Sequence, residues 1–498
     1  MATTASGEDE TAAPLDFRDA LARYEAGARE SLLAGIDAEL RVGGHDARLW
    51  HLQGLILREL ERYSEALPAL RRAAQLAPTS ANIAHALARA SYEAGLPSVD
   101  AYARALRLSP GDSKLLLGLA AALAAEGRIG DAIAGIEHGL KVGPQWTEGH
   151  ETLAHLRWTE GERAGFARSF EEALAMMPGN IELRRQQIIT LVHAEHWDDV
   201  LAAIAAGRAA VGDDPLFDAN EAAVYSETGE PERAEALFAA LADLPDATVQ
   251  LRHARNLLRL ARPQDASALI DPWLATPDAF LFWPYASIAW RILGDPRSEW
   301  LEGDPRMVEV YDIADRLPPL EQLADTLRTL HVTRGEHLDQ SVRGGTQTDG
   351  NLFHRIDPII AKVREGIAAT VAEHIAQLPP PDPRHPLLGP PRDRPVRFAG
   401  AWSVRLSGGG YHANHVHPMG WISSALYIEL PPGLGEGEAG FLTLGEPQAQ
   451  LKLDLPLTRL IEPKPGRLAL FPSWMWHGTR PFGAGERMTI AFDVAVPA

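Results

Sequence analysis

The sequence predicts a multidomain α + β protein, in which an N-terminal all-α helical solenoid is followed by a β-rich C-terminal domain with flanking helices. Prolines recur at nearly one spacing through the first half of the chain, which is typical of repeated helical hairpins. From Val396 onwards, short apolar runs alternate with glycine and proline. Between these regions, the proline-dense segment 379–395 can form neither a helix nor a central strand, so we interpret it as a loop.

The composition excludes several classes of protein. The chain is 46% hydrophobic and 23% charged, and no apolar run is long enough to cross a bilayer, so we expect no membrane partner. It has no cysteine, which excludes disulfides and thiolate metal sites and makes the cytoplasm the default location. A formal charge of −20 without clustered lysine and arginine argues against nucleic acid as a partner.

The N-terminal end is expected to be a disordered tail over residues 1–16. It is polar and acidic, and it lacks both the positive start and the apolar middle of a secretory signal. The helical solenoid is predicted to begin directly after it and to extend over residues 17–300.

The proline spacing predicts the kind of solenoid. Successive intervals are 32, 34, 34, 37 and 30 residues, given by Pro78, Pro110, Pro144, Pro178, Pro215 and Pro245. A period near 34 is that of the tetratricopeptide repeat, which has two antiparallel helices per unit. One unit shows the expected bulky, small and helix-ending positions, at Trp50, Gly54, Ala66, Leu70, Ala73 and Pro78. The pattern is strong over residues 47–178, and its register blurs in "ARPQDASALIDPWLATP".

Stacked units of this kind leave a concave surface that commonly receives a peptide or a partner protein. We therefore expect a peptide or protein partner for the solenoid. The other interpretation is a spacer or a dimerisation scaffold, and the sequence leaves both open.

Residues 301–395 are predicted to be helices and a proline-rich loop that lead into the C-terminal domain. Helical periodicity is present in "RMVEVYDIADRLPPLEQLADTLRTLHV" and "LFHRIDPIIAKVREGIAATVAEHIAQL". A polar, glycine-bearing segment, "QSVRGGTQTDGN", separates them.

Residues 396–498 are predicted to form a β-sandwich or a jelly-roll barrel. The predicted strands are "VRFAGAWSVRL", "ISSALYIEL", "GFLTLG", "AQLKLDL", "RLALF" and "MTIAFDVAV". Six or more short strands separated by glycine and proline turns are typical of these two architectures.

Three histidines and one arginine are the candidate chemical site of this domain. His415 and His417 alternate on a predicted strand and therefore project to one face, and His477 can add a third nitrogen donor. Three donors leave coordination positions open for chemistry. Arg487 lies on the strand after His477, where a planar cation can hold the far carboxylate of a chelating diacid. The combination points to a non-haem iron site that uses 2-oxoglutarate.

Two strings carry a specific resemblance: "GGYHANHVHPMGWISSALYIELP" (409–431) and "PGRLALFPSWMWHGTRPFGAGERMTIAFDV" (465–494). They resemble the Fe(II)- and 2-oxoglutarate-dependent oxygenase superfamily, in the branch that joins tetratricopeptide repeats to a C-terminal double-stranded β-helix, the jelly-roll barrel. "RGGTQT" is similar to a segment that precedes the barrel in that branch. The resemblance covers roughly residues 335–498.

The resemblance implies Fe(II) and O2, with 2-oxoglutarate as the cosubstrate. It assigns His415 and His477 as metal ligands and Arg487 as the residue that holds the C5 carboxylate of 2-oxoglutarate. Two further residues are expected to support the cosubstrate: Tyr427 on the strand after the histidine pair, and Thr489 on the same strand face as the arginine.

The third expected ligand, His417, occupies the position where most of the superfamily has aspartate or glutamate. An imidazole still donates a nitrogen, but replacing an anion raises the net charge of the centre by one unit and should make Fe(III) harder to reach. Halogenating members lose the carboxylate to a small residue and so free a position for halide. An imidazole fills that position, which disfavours halogenation.

Other side chains near these strings receive simpler interpretations. His412 is expected to support the site or to lie at the surface. Arg343 and Arg405 are further cations that could meet substrate or cosubstrate. Four tryptophans are expected in the barrel core and the pocket lining: Trp402, Trp421, Trp474 and Trp476.

The sequence thus predicts a 2-oxoglutarate-dependent dioxygenase that hydroxylates a peptide or protein side chain recruited by the repeats. The alternatives are a repeat scaffold with a non-catalytic barrel, or a cupin-like barrel that binds zinc or works without a cosubstrate. Arg487 argues against the last two because neither needs it.

Overall fold

The computed structural model describes residues 15–333, 335, 338, 340–432, 434 and 437–497. Of the tail predicted over residues 1–16, positions 1–14 lie outside the described residues. The chain divides into two compact units. The first extends to residue 122 and includes residues 354–356, and the second contains residues 123–353 and 357–498.

Paired helices fill the chain as far as residue 302. In order they are α1 (Phe17–Glu25), α2 (Glu30–Gly43), α3 (Ala47–Glu59), α4 (Tyr63–Leu76), α5 (Ala81–Glu93), α6 (Val99–Leu108), α7 (Ser113–Ala125), α8 (Ile129–Val142), α9 (Thr147–Thr159), α10 (Arg168–Met176), α11 (Ile181–His193), α12 (Trp197–Val211), α13 (Pro215–Thr228), α14 (Pro231–Ala240), α15 (Ala247–Arg259), α16 (Pro263–Ile270), α17 (Ala279–Leu293) and α18 (Arg297–Glu302). Within the described parts of the chain, no helix combines the length and the apolar character needed to span a bilayer.

The turn inside each hairpin gives the repeat period directly. One residue of each such turn has a positive φ angle, which ends the first helix and starts the return. These residues are Gly27, Glu61, Gly95, Gly127, Gly161, Glu195, Gly229, Ala261 and Gly294, so the intervals stay between 32 and 34 residues. The predicted helical repeats are confirmed, and they continue through the segment whose register was blurred.

Small residues allow the helices of a hairpin to approach closely, as the sequence indicates for Gly54. A Cβ atom at this position would lie 2.5 Å from Leu70 Cγ. Glycine also allows successive hairpins to approach closely: a Cβ at Gly118 of α7 would lie 2.2 Å from the Tyr102 ring of α6, and one at Gly207 of α12 would lie 2.6 Å from Phe217 of α13. Separations below 3.0 Å leave no room for a methyl group unless a neighbour moves.

Residues 303–397 contain two helices, as predicted, and two strands that were not predicted. The helices are α19 (Leu320–Leu330) and α20 (Pro358–Gln377), and the strands are β1 (Glu309–Asp312) and β2 (Val342–Gln347). The helical interpretation of residues 309–312 was therefore wrong, and no strand had been predicted for residues 342–347. Both segments are edge strands whose conformation is set by pairing with a distant partner, which local periodicity does not report. The segment 379–395 has no helix or strand, as expected.

The C-terminal strands form two antiparallel sheets. They are β3 (Phe398–His412), β4 (Ile422–Glu429), β5 (Leu442–Leu444), β6 (Arg459–Ile461), β7 (Arg467–Pro472), β8 (His477–Thr479) and β9 (Arg487–Val494). The six-stranded sheet has the order β1-β7-β4-β9-β3-β2, and the three-stranded sheet has the order β6-β5-β8. The predicted strand "AQLKLDL" is instead a short 3₁₀ turn at Ala449–Leu451 followed by irregular chain. The strands of the described residues do not close into a barrel.

One hydrophobic core joins the last repeats to both sheets. It contains Trp290 of α17, Ile367 of α20, Phe471 of β7 and Leu444 of β5, all at most 1% exposed. Arg291 of α17 also donates hydrogen bonds to backbone carbonyls in the loops that flank the three-stranded sheet. The last helical hairpins are therefore fixed against the sheets by packing and not by a flexible linker.

Replacing Gly207 by alanine should lower the free energy of unfolding by about 1 to 3 kcal/mol, because the added methyl group overpacks the crossing with Phe217. The matched control is Gly135→Ala in α8, where a Cβ atom meets nothing within 4 Å. Helix propensity there favours alanine by up to about 1 kcal/mol. Urea-induced unfolding followed by circular dichroism measures both. Equal effects of the two substitutions would contradict the close helix crossing.

Candidate metal centre

The main-chain positions of the three histidines differ in part from the prediction. His415 and His417 follow the end of β3 and do not lie on a continuous strand. His415 instead forms an isolated antiparallel bridge with His477, in which each backbone N–H donates to the other's carbonyl, at 2.9 and 3.0 Å. His417 N–H donates to the Ser473 carbonyl at 2.9 Å. The bridge brings the imidazoles together although the expected strand is absent.

The three imidazoles converge closely enough to share one ion. Their ring centroids are 4.2 Å apart for His415 and His477, 4.9 Å for His415 and His417, and 5.1 Å for His417 and His477. One nitrogen from each ring lies within 4.8 Å of the others. Three convergent nitrogen donors are a donor set suited to a divalent transition metal.

Each imidazole has an acceptor at Nδ1, which fixes its orientation. The Ala413 carbonyl lies 2.8 Å from Nδ1 of His415, and the Met475 carbonyl lies 2.9 Å from Nδ1 of His477. Both carboxylate oxygens of Asp493 lie 2.8 Å from Nδ1 of His417. With Nδ1–H donating, the lone pair of each neutral ring is at Nε2, the nitrogen available to a metal.

Burial keeps two of these rings in the form that binds metal. Removal from water lowers the pKa of His415 and His477 well below the ordinary value of 6.5, and the neighbouring imidazoles lower it further. Both rings are therefore neutral near pH 7, and protons do not compete with a metal for them.

Asp493 is the functional candidate that the sequence analysis missed. It is 9% exposed, and besides His417 it accepts a hydrogen bond of 2.5 Å from the Ser423 hydroxyl. The signal was present in the sequence, since residues 487, 489, 491 and 493 alternate along β9 and share one face. Most of the superfamily has a negative ligand at position 417, and here Asp493 places a negative charge behind His417 instead. This charge offsets the gain of one positive unit that the histidine was predicted to cause.

Arg487 is a buried cation that pairs with no carboxylate among the described residues. It is 2% exposed, and its Nε and Nη1 atoms have no hydrogen-bond partner within the described residues. Its guanidinium carbon lies 5.2 Å from the centre of the Tyr427 ring. Burial lowers the pKa of Arg487 from its usual value. Because an unpaired buried charge is costly, this position is suited to an anionic ligand.

A narrow space of about 50 Å³, here called the inner cavity, brings most of the predicted site residues together. Its walls include His415, His417, His477, Arg487, Thr489, Trp402, His412, Gln340, Ser341 and Gln347. Tyr427 does not line this cavity. It is fully buried behind the guanidinium, it is the cross-strand partner of Thr489, and its hydroxyl has no partner in the part of the chain that the structure describes.

A larger space of about 700 Å³, the outer cavity, opens from the inner one. The two share six lining residues, among them His415, His417 and Trp402. The far wall of the outer cavity is built by repeat helices of the same compact unit, through Trp158 of α9 and Tyr285 of α17. The outer cavity therefore joins the three histidines to the repeat helices.

The remaining predicted residues take different positions. His412 lines the inner cavity, with Nδ1 3.2 Å from the Ser341 hydroxyl, and burial lowers its pKa to about 3. Arg343 lines the outer cavity, whereas Arg405 forms an ion pair of 2.5 Å with Glu486 and lines neither cavity. Three tryptophans lie in the core, as expected: Trp421, Trp474 and Trp476. Trp402 lines both cavities, with its ring 5.4 Å from that of His417.

Two family models match the chain. Residues 400–493 match the family described as "Putative 2OG-Fe(II) oxygenase", and residues 47–80 match "Tetratricopeptide repeat". The first match contains the three histidines, Arg487 and Asp493. Both parts of the resemblance predicted from the sequence are thereby confirmed.

Solved structures with similarity to the chain are repeat proteins. A tetratricopeptide repeat protein from Parabacteroides merdae is 16% identical, covers 48% of this chain and 95% of its own, and gives a TM-score of 0.32. MamA from Desulfovibrio magneticus is 14% identical over 33% and 95%, with a TM-score of 0.30. YrrB, described as having an unusual peptide-binding site, is 16% identical over 36% and 95%, with a TM-score of 0.26. Scores of this size support no inference about partners. None of the curated proteins gives a significant match.

Replacing Asp493 by asparagine should weaken metal binding by about 10- to 100-fold. The amide oxygen can still accept from His417 Nδ1, so the substitution removes the charge while keeping the hydrogen bond. Titration with Co(II), followed by its visible absorption, measures the affinity without a requirement for activity. The control is Asp454→Asn, at an exposed position of the same domain. An unchanged affinity in the Asp493 variant would show that the carboxylate does not tune the site.

Proposed function

We propose that this protein is an Fe(II)- and 2-oxoglutarate-dependent oxygenase that hydroxylates a peptide or protein side chain received along its repeats. One observation carries the proposal: Arg487, a buried arginine that pairs with no carboxylate among the described residues, lines the same small cavity as three convergent imidazoles. The histidines offer a metal its ligands, and the guanidinium offers an anion a partner.

The residues fit both groups. His415, His417 and His477 would hold Fe(II) through Nε2 and leave coordination positions open. Arg487 would bind the C5 carboxylate of 2-oxoglutarate by charge-assisted hydrogen bonds from its free Nε and Nη1 atoms. Thr489 lines the same cavity and would add a hydroxyl.

Tyr427 is proposed to act on the cosubstrate through the arginine. Its ring packs on the guanidinium, so it would fix the direction in which Arg487 points. This refines the role expected from the sequence, in which the hydroxyl itself met the cosubstrate carboxylate.

When bound, iron and 2-oxoglutarate supply the oxidising chemistry: O2 and 2-oxoglutarate become succinate and CO2, and one oxygen atom enters a C–H bond of the substrate. The protein's own residues orient the reactants and exclude water. The inner cavity is narrow and closed on one side by the core, with Trp402 at its junction with the outer cavity. Asp493 holds His417 in the tautomer that presents Nε2.

The path of the chain supports a double-stranded β-helix for this domain. Successive segments alternate between the sheets: β3 belongs to the six-stranded sheet, His415 bridges to β8 of the other sheet, β4 returns to the first, and β5 and β6 belong to the second. The final strands continue the alternation, with β7 and β9 in the larger sheet and β8 in the smaller one. We retain the division into a tail (1–16), a solenoid (17–300), a connecting region (301–395) and an oxygenase core (396–498).

A peptide or protein substrate is supported by the walls of the outer cavity, which join repeat helices to the metal site. Nucleic acid stays disfavoured by the charge of −20, and a cytoplasmic location stays a prediction. A scaffold with a non-catalytic or zinc-binding cupin-like barrel would leave the unpartnered Arg487 in the inner cavity without a reason.

Anaerobic titration of the Fe(II) protein with 2-oxoglutarate should give the visible charge-transfer band of the chelate. In Arg487→Met the affinity for 2-oxoglutarate should fall by about 10- to 100-fold, since a buried charge-assisted hydrogen bond is lost, whereas Fe(II) binding should persist. The control is Arg405→Met, which removes an ion-paired arginine outside the cavity. Absence of the band in the wild-type protein, or equal affinity in the Arg487 variant, would rule out the proposed cosubstrate site.

A further inference from the structure

A second cavity adjoins the outer one and is rich in arginine. It measures about 340 Å³ and shares His193, Glu195, Gln448 and Gln450 with the outer cavity. Its distinctive wall is one face of α15, where three arginines at spacings of three and four residues point the same way: Arg252, Arg255 and Arg259. We call this space the arginine groove. The groove and the metal site belong to the same compact unit.

The acids of the groove do not neutralise these cations. Glu227 accepts hydrogen bonds from both Arg255, at 2.7 Å, and Arg259. Arg252 donates only to the neutral amide oxygen of Asn220, at 3.0 Å, and has no carboxylate partner in the described part of the chain. Glu195 is the other acid in the lining. The lining of the groove thus contains three arginines and two carboxylates, in a chain whose net charge is −20, and Asp246 acts on Arg252 from outside the lining.

The groove is already partly removed from water, which strengthens its attraction for an anion. The side chain of Arg259 is 5% exposed and that of Arg255 is 23% exposed. Burial and the charge of Arg255 lower the pKa of Arg252, and the nearby carboxylates of Glu227 and Asp246 raise it by less, so the pKa lies below its usual value.

The unsatisfied atoms of the groove are hydrogen-bond donors. Arg255 Nε and Gln448 Nε2 have no partner within the described residues. Donors without acceptors, beside an arginine that hydrogen-bonds to no carboxylate among the described residues, are complementary to a carboxylate, which only accepts. They are not complementary to an amine or to an apolar side chain.

We propose that the arginine groove binds a carboxylate of the peptide substrate, from an acidic side chain or from the chain end, while the outer cavity leads the residue to be hydroxylated to the metal. The inference rests on the proposed function in one respect, that the substrate is a peptide. The groove supplies selectivity for acidic peptides. The protein as a whole, with a net charge of −20, repels such peptides, and the local arginines overcome this repulsion.

The test uses the full chain, without metal or cosubstrate, immobilised and exposed to two degenerate pools of short peptides. One pool has amidated C-termini, so that only side chains carry carboxylates, and the other has free C-termini. If the groove holds a side-chain carboxylate, the fraction retained from the first pool should be enriched in aspartate and glutamate. If it holds the chain end, a larger fraction of the second pool than of the first should be retained. For a recovered acidic peptide, Arg252→Gln should lower the affinity roughly tenfold, the size expected for one charge-assisted hydrogen bond.

The matched control is Arg262→Gln. It makes the same change of charge just before α16, at a position that does not line the groove. Glutamine at position 252 can still donate to Asn220, so a folding defect is not expected. Retained peptides with no excess of carboxylates, or equal losses in the two variants, would overturn the proposal. The Fe(II) and 2-oxoglutarate absorption band of Arg252→Gln should match that of the wild-type protein, so that failure of the groove and failure of the oxygenase site are distinguished.

Discussion

The candidate site depends on a buried positive charge that the protein itself does not neutralise. Arg487 begins β9 and Asp493 lies near the end of the same strand, and their alternation directs both side chains to one face. The cation stands at the proposed cosubstrate end of the site, and the anion stands behind His417. A single strand therefore supplies opposite charges to two parts of the site, and the three imidazoles line the same inner cavity.

The second structural constraint is the continuous core between the last repeats and the sheets. Trp476 directly precedes the ligand His477, and its indole donates to the Pro284 carbonyl of α17 at 3.0 Å. Its ring also packs edge-on against Tyr285, with centroids 5.5 Å apart. The wall that faces a substrate and the strand that carries a proposed ligand are thus held together by the same side chain. Repeats joined in this way form part of the wall of the outer cavity beside the three histidines.

Sequence analysis reached the features that depend on local pattern. The repeat period, the proline-rich loop and most central strands follow from spacing and composition, and the three histidines were found as a group. The edge strands β1 and β2 were missed because their conformation depends on pairing with β7 and β3. His415 and His417 were expected on a strand, but their convergence comes from one bridge to His477.

Charge relationships across the fold were the hardest to predict. Asp493 could have been found from its alternation with Arg487, but its partnership with His417 joins residues 76 positions apart. In the sequence, the arginines of α15 look like an ordinary charged face of a helix. They become a groove only where the chain around Gln448 and Gln450 covers them, and that contact spans nearly two hundred residues. Periodicity reports which face of an element a residue occupies, and it does not report which distant element meets that face.

The central claim is that three imidazoles hold one metal ion beside a guanidinium that binds a dicarboxylate. Anaerobic crystals of the full chain with Fe(II) and 2-oxoglutarate, measured on both sides of the iron absorption edge, test it most directly. The account predicts one anomalous peak, from an iron ion bound by Nε2 of His415, His417 and His477. It also predicts that a carboxylate of 2-oxoglutarate contacts Arg487. Iron bound elsewhere, or a guanidinium without the carboxylate, would contradict it.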